Sequence, residues 1–116
     1  MGRVFKIMKS FRNPPLIAVR SHIPNMIRRD VLNKYNHKCA GNIPQFPCSN
    51  TYKEVLEIDH ILPQAIQRIN KKYNLQVLCA NCHTLKTKLY DTNLINMYKM
   101  GRLHRRHVRH HLRLFV

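Results

Sequence analysis

Apolar residues recur along the chain in short blocks, and the spacing within each block predicts a secondary structure element. Near-helical spacing over residues 25–36 predicts an amphipathic helix. Residues 53–61 are rich in β-branched and apolar residues and predict a strand, and residues 74–78 predict a second, shorter one. Helical spacing returns over residues 80–90 and again over residues 91–100. The order of these elements predicts a small α+β fold with no room for a large sheet.

The segments between the blocks predict two loops and one further helix. Gly41, Pro44 and Pro47 predict a loop over residues 39–48. The connection over residues 62–73 is polar, with a short helical turn predicted around Ile66. Four apolar residues at helical spacing could form one stripe of a helix near the C-terminus, with cationic residues around them: Leu103, Val108, Leu112 and Phe115.

The net charge of the chain indicates which class of partner it binds. Its 116 residues include 21 Lys and Arg against 5 Asp and Glu, a formal net charge of +16. Such an excess attracts polyanions, and nucleic acid is the expected partner, DNA first and RNA as the alternative. An anionic membrane surface is the competing explanation, whereas no stretch is apolar and long enough for a membrane span. The first residues lack the apolar core of a signal peptide, so we expect an intracellular protein, cytoplasmic or, in a eukaryotic host, nuclear.

Four cysteines form the first candidate site. Cys79-x2-Cys82 is a tight pair at the predicted start of a helix, and Cys39-x8-Cys48 is a looser pair across the first loop. In a small basic chain without a signal peptide, this pattern favours a structural zinc site over disulfides or free buried thiols. His37 could replace one sulfur, although a surface histidine is the better interpretation.

Four polar residues form the second candidate site: Asp59, His60, Asn74 and His83. Phosphodiester hydrolysis needs a base near neutral pH and a divalent cation on the scissile phosphate. Asp59 and His83 can supply an oxygen and a nitrogen ligand, which leaves His60 to be the base. Asn74 could bind the backbone or orient His60. Taken singly, each has a simpler explanation as a surface hydrogen bond, a turn residue or a neighbour of the zinc site, and adjacent strand residues such as Asp59 and His60 point to opposite faces.

The motifs Asp59-His60-Ile61-Leu62-Pro63, Asn74-Leu75 and Cys79-Ala80-Asn81-Cys82-His83, followed by Lys86-Thr87, resemble the HNH endonuclease family. The resemblance spans roughly residues 25–90 and implies a ββα-metal (His-Me finger) core preceded by a helix and a zinc knuckle. It also implies that His60 is the general base, that Asn74 is the middle Asn of the motif, and that Asp59 and His83 bind the catalytic cation. The structural zinc would then fall to Cys39, Cys48, Cys79 and Cys82. Two departures are the eight residues between the first two cysteines and the lack of a Gly-Gly after Pro63.

These inferences predict a metal-dependent endonuclease that hydrolyses DNA phosphodiester bonds. Its domain would span residues 24–100, between a basic N-terminal arm over residues 1–23 and a basic Arg/His-rich tail over residues 101–116. Mg²⁺ or Mn²⁺ is the expected catalytic cation, and Ni²⁺ or Zn²⁺ would also suit mixed oxygen and nitrogen ligands. We expect a monomer or a weak homodimer. Nine basic residues are predicted to contact nucleic acid: Arg68, Lys71, Lys72, Lys86, Lys88, Arg102, Arg105, Arg106 and Arg109.

Two other functions compete with the endonuclease. The first is a zinc-stabilised module that binds nucleic acid without cutting it, and a histidine at position 60 argues against it because binding alone does not need that residue. The second is an interaction protein whose Arg/His-rich tail is the functional part.

Overall fold

A computed structural model gives the fold of residues 22–115, four helices around a two-stranded antiparallel sheet. The predicted N-terminal arm lies outside these residues, apart from its last two. In chain order the elements are α1 (Asn25–Lys34), β1 (Leu56–His60), β2 (Leu75–Cys79), α2 (Ala80–Lys86), α3 (Thr92–Lys99) and α4 (Arg105–Phe115). None of the helices within residues 22–115 is long and apolar enough to cross a membrane. The predicted α+β class with a ββα core is confirmed.

The two strands form a hairpin with a long connection, and Asp59 pairs with Gln76 while His60 pairs with Leu75. The predicted first strand is too long at its start, because Lys53–Val55 form a 3₁₀ turn. The second strand begins one residue later than predicted, since Asn74 belongs to another 3₁₀ turn. The sheet therefore ends at the pair His60–Leu75, next to the motif residues Asp59 and Asn74.

The sheet separates two apolar clusters because successive strand residues face opposite sides. On one side Leu75 and Val77 pack against Val31 of α1 and against Ile23. On the other side lies the larger cluster, which includes Leu78 and residues from the loops and from α3 and α4. This second side is the one that carries α2 and the cysteines.

Helix α2 continues into α3 through one π-helical turn, Thr87–Asp91. The helix predicted over residues 80–90 is therefore present, but its last turn is wider than an α-helix. A π turn of this kind adds one residue per hydrogen-bonded loop and is often found at functional sites.

The C-terminal segment, predicted to be a basic tail, is part of the folded domain. It forms α4, as the apolar stripe predicted, but Val108, Leu112 and Phe115 lie in the larger core, and His111 is buried beside them. The reason is that burying the stripe offsets the cost of ordering the helix. The outer side of α4 is basic, whereas its inner side completes the domain.

Candidate active site and metal centre

The four cysteines meet at one point, where the first loop reaches the start of α2. Their Sγ atoms all lie within 4.8 Å of one another, and those of Cys48 and Cys79 are 3.8 Å apart. A tetrahedral zinc with bonds of about 2.3 Å requires sulfur separations of about 3.8 Å. The thiols therefore suit a structural zinc, and the four are free of disulfides.

The enlarged spacing between Cys39 and Cys48 is accommodated by a compact loop. The backbone N–H of Ala40 donates to the carbonyl of Val77 over 2.7 Å, which attaches the loop to β2. Gly41 adopts a positive φ of 62°, and a Cβ there would lie 2.0 Å from the Cys48 carbonyl oxygen. Only glycine fits this approach, so the wide knuckle depends on Gly41.

Burial and hydrogen bonding set the protonation of the thiols. Burial raises the pKa of Cys39 and of Cys82. Burial also acts on Cys79, but the Cys82 N–H and the neighbouring thiols outweigh it and lower the pKa of Cys79. Zinc binds thiolates, so metal binding at this cluster is linked to proton release.

Asp59 and His83 are brought together across the sheet side that faces α2. His83 Nε2 lies 3.5 Å from Asp59 Oδ1, and His83 Nδ1 bonds to the carboxylate of Glu57. Asp59 is buried, whereas His83 and Glu57 are partly open to solvent. Because residues 57 and 59 alternate onto the same strand face, Glu57 reaches the ring from the opposite edge. The arrangement offers one carboxylate oxygen and one imidazole nitrogen on the same side.

His60 has different neighbours, as the alternation of strand side chains predicts. Its Nε2 lies 2.7 Å from Asn70 Oδ1 and 3.2 Å from Gln64 Nε2, and both partners belong to the loop after β1. The His60 ring and the Asp59 carboxylate are therefore held by separate sets of residues. Lys86 links the two residues through other atoms: its ammonium donates to the main-chain carbonyl of His60 and forms an ion pair with Asp59 Oδ2.

Asn74 is fully buried and bonds to the backbone, which is one of the two roles considered for it. Its Oδ1 accepts the Leu62 N–H at 2.8 Å, and its Nδ2 donates to the carbonyls of Ile69 at 3.0 Å and Leu62 at 3.4 Å. Its own carbonyl accepts the Ile61 N–H. The Asn74 side chain thus holds together the loop after Pro63, which lacks a Gly-Gly. The same loop contains the residues that contact the His60 ring.

The nine basic residues predicted to contact nucleic acid divide into two groups. Lys86 has no exposed surface, and the prediction for it is wrong because its ammonium group is enclosed by carboxylates. The other eight are exposed: Arg68, Lys71, Lys72, Lys88, Arg102, Arg105, Arg106 and Arg109. One of them, Lys72, forms a 3.6 Å surface ion pair with Asp30.

Six polar residues that the motifs did not single out contact the predicted site or its supports: Glu57, Gln64, Asn70, Gln76, Asp91 and His111. Glu57 could have been found, since it lies two residues before Asp59 on the same strand face. Gln64 and Asn70 lie in a loop, where side-chain positions follow no period. Asp91 reaches the site through a π turn, which the α-helical period does not anticipate.

Comparison with known proteins agrees with the geometry. Residues 47–89 match the model of the HNH endonuclease family. The matched segment contains the hairpin, α2 and three of the four cysteines, and it stops before α3 and α4. No curated protein and no solved structure shows significant similarity to the chain. Residues 47–89 are therefore similar to an HNH endonuclease domain, a nuclease-type and metal-binding family, and the four clustered thiols are compatible with a zinc site.

Proposed function

We propose that the protein is a metal-dependent endonuclease that hydrolyses phosphodiester bonds in DNA. The observation that carries the proposal is the approach of His83 Nε2 to Asp59 Oδ1, 3.5 Å apart, within the segment that matches the HNH family. An acidic oxygen and an imidazole nitrogen at this separation can bind one divalent cation and leave its other positions open. Mg²⁺ or Mn²⁺ is the proposed cation, and Ni²⁺ or Zn²⁺ would fit the same ligands.

Glu57 supports the proposed metal role of His83. A histidine that binds a metal through one nitrogen usually donates its other N–H to a carboxylate, which fixes the ring and its tautomer. The bond between His83 Nδ1 and Glu57 has this form. With Nδ1 protonated, the lone pair of Nε2 faces Asp59. When bound there, the cation would neutralise charge on the phosphate and on the leaving oxygen.

His60 is proposed as the general base. His60 Nε2 lies 2.7 Å from Asn70 Oδ1, which only accepts, and 3.2 Å from the donor Gln64 Nε2; the shorter contact favours a proton on His60 Nε2. Nδ1 then remains unprotonated and can accept the proton of the attacking water. Asn74 acts on the same group from a distance, because it holds the backbone of the loop that carries Asn70.

The exposed basic residues are proposed to bind the phosphate backbone. Arg105, Arg106 and Arg109 lie on the outer side of α4, and within residues 101–115 there is no acidic side chain to oppose them. Contacts of this kind give affinity without sequence preference and weaken as salt is added. DNA is proposed as the substrate, with RNA as the alternative, and the enzyme is proposed to act as a monomer or a weak homodimer.

The test is nicking of supercoiled plasmid by the zinc-loaded protein with Mg²⁺ or Mn²⁺. We expect the wild type to nick, and His60→Ala to lose about a hundredfold or more in rate, within the usual range for a general base. His37→Ala is the matched control, since His37 is exposed on the turn after α1 and should nick like the wild type. Equal nicking by His60→Ala, or plasmid binding without nicking by any protein, would refute the proposal. The second result would identify a zinc-stabilised binding module instead.

A further inference from the structure

Lys86 is buried in a strongly basic protein, and the proposed chemistry does not use it. Its side chain has no exposed surface. The ammonium group lies 2.9 Å from both Asp91 oxygens, 3.1 Å from the His60 carbonyl oxygen and 3.2 Å from Asp59 Oδ2. An ammonium has three N–H donors, and the hydrogen bonds to the two Asp91 oxygens and the His60 carbonyl use all of them, while Asp59 Oδ2 adds an ion-pair contact. Because a buried charge is costly without such partners, the arrangement needs every contact in it.

The π turn makes the contact with Asp91 possible. Asp91 lies five residues after Lys86, and on a regular α-helix these side chains would be roughly 140° apart around the axis. The turn Thr87–Asp91 widens the helix, and the Thr92 hydroxyl donates to the Thr87 carbonyl across the same five-residue span at 2.8 Å. Asp91 thereby faces Lys86. The π turn therefore brings Asp91 into its ion pair with Lys86, beside the candidate active site.

Helix α4 closes the group from the other side. His111 Nε2 donates to the Ile61 carbonyl at 2.8 Å and lies 3.3 Å from Asp91 Oδ1. The Phe115 ring lies with its centre 5.3 Å from Lys86 Nζ, a cation–π distance. The ion pair is thus covered by α4, outside the segment that matches the family.

These contacts determine which oxygen of Asp59 is available. Oδ2 interacts with Lys86 and accepts a 3.0 Å hydrogen bond from Gln76 Nε2, and Asn42 in turn donates to Gln76 Oε1 at 2.7 Å. Oδ1 is the oxygen beside His83. With one oxygen restrained from two directions, the carboxylate cannot rotate without breaking bonds in a buried site.

We propose that Lys86, held by Asp91 and covered by α4, is the positioning residue of the active site. It fixes Asp59 with Oδ1 toward the cation position and fixes the backbone of His60 next to it. The inference rests on the proposed function for what Asp59 binds. It makes α4 a required part of the site, in addition to the basic surface that its outer side presents.

The test uses a double variant, Lys86→Met with Asp91→Leu, which leaves the net charge of the protein unchanged. Replacing a buried ion pair by apolar residues of similar volume is often neutral or stabilising. Asp59 loses Lys86 in this variant but keeps its hydrogen bond from Gln76, so the variant should fold and keep its zinc at some cost in stability. The matched control is Lys53→Met with Glu54→Leu, the same two substitutions at exposed positions of a 3₁₀ turn. Mn²⁺ binding to each zinc-loaded protein is measured by loss of the electron paramagnetic resonance signal of the free ion, and plasmid nicking is measured in parallel.

We expect the buried double variant to unfold in urea in one cooperative transition, as a folded protein does, yet to bind Mn²⁺ about 10-fold to 100-fold more weakly than the wild type. Its nicking should fall by a similar factor at limiting Mn²⁺, while the control stays at the wild-type level. A folded double variant with wild-type Mn²⁺ affinity would overturn the positioning role and leave the proposed function intact. If the double variant does not fold, Asp91→Asn, which is nearly isosteric, is compared with Glu54→Gln by the same two measurements, with the same results for and against. A wild type that binds Mn²⁺ through Asp59 but does not nick would refute the endonuclease and not the positioning role.

Discussion

His111 is a buried histidine whose neutral form the fold requires, and this requirement predicts how stability depends on pH. Burial lowers the pKa of His111 to about 4, and repulsion from Lys86 adds to the effect, against an ordinary value of 6.5. The groups that face it are Asp91, Lys86 and the adjacent His110. Because the folded pKa lies below the unfolded one, its contribution to stability is full above the unfolded value and is lost as the pH falls through the folded value.

The size of the effect follows from the two pKa values. The gap between them, at 1.36 kcal/mol for each tenfold change, is worth about 3 kcal/mol in total. Between about pH 7 and pH 5, His111 should lose roughly 2 kcal/mol of this contribution. Asp91 acts in the opposite direction. Burial raises its pKa to about 6 even though Lys86 opposes the shift, so Asp91 contributes stability at low pH that is lost as the pH rises through about 6.

The assay is urea unfolding of the zinc-loaded wild type and of His111→Gln at a series of pH values. Glutamine keeps an N–H for the Ile61 carbonyl and does not titrate. Protonation of the zinc ligands affects both proteins, so the difference between their free energies of unfolding isolates His111. We expect the advantage of the wild type at about pH 7 to shrink by roughly 2 kcal/mol by about pH 5. A difference that stays constant over this range would refute the buried neutral histidine.

Other residues allow equally specific predictions. Asn74→Ala should lower the free energy of unfolding by about 2–5 kcal/mol in urea, because it leaves several buried loop groups without partners; a loss below about 1 kcal/mol would contradict this. Gly41→Ala should weaken zinc retention against a chelator, because its Cβ would lie 2.0 Å from the Cys48 carbonyl oxygen. The control is Gly101→Ala, where φ is also positive but no atom lies within 4 Å of the added Cβ, and it should retain zinc like the wild type. Equal zinc retention by the two variants would be inconsistent with the loop geometry. Changing Arg105 and Arg109 together to Gln should make the slope of log affinity against log salt shallower by about 2, measured by fluorescence anisotropy on a short duplex; an unchanged slope would remove α4 from the DNA interface.

The sequence was sufficient to predict the residues whose spacing is local. Cys79 and Cys82 lie two residues apart at a helix start, and Asp59 and His60 lie at the end of a strand that Pro63 stops, so both could be placed from the pattern alone. The apolar stripe of α4 was equally readable. What the stripe did not indicate was its partner, because an amphipathic helix presents the same pattern whether it packs on this core or on another surface.

The contacts that could not be predicted are those between distant parts of the chain. Lys86 looked like one more basic residue, and its burial depends on Asp91, which arrives through a π turn, and on the covering helix α4. Asn70 reaches His60 from a loop, where backbone geometry decides which side chain points inward. Such contacts depend on tertiary packing and leave no periodic trace in the sequence.

The measurement that tests the proposed chemistry most directly is cleavage of a defined DNA duplex in water enriched in heavy oxygen, followed by mass spectrometry of the ends. If His60 activates water at a phosphate bound beside Asp59 and His83, the new terminal phosphate should contain one heavy oxygen atom per cut. His60→Ala should then release labelled ends far more slowly under the same conditions. Intact duplex, or cut ends that contain no heavy oxygen, would contradict hydrolysis at this site.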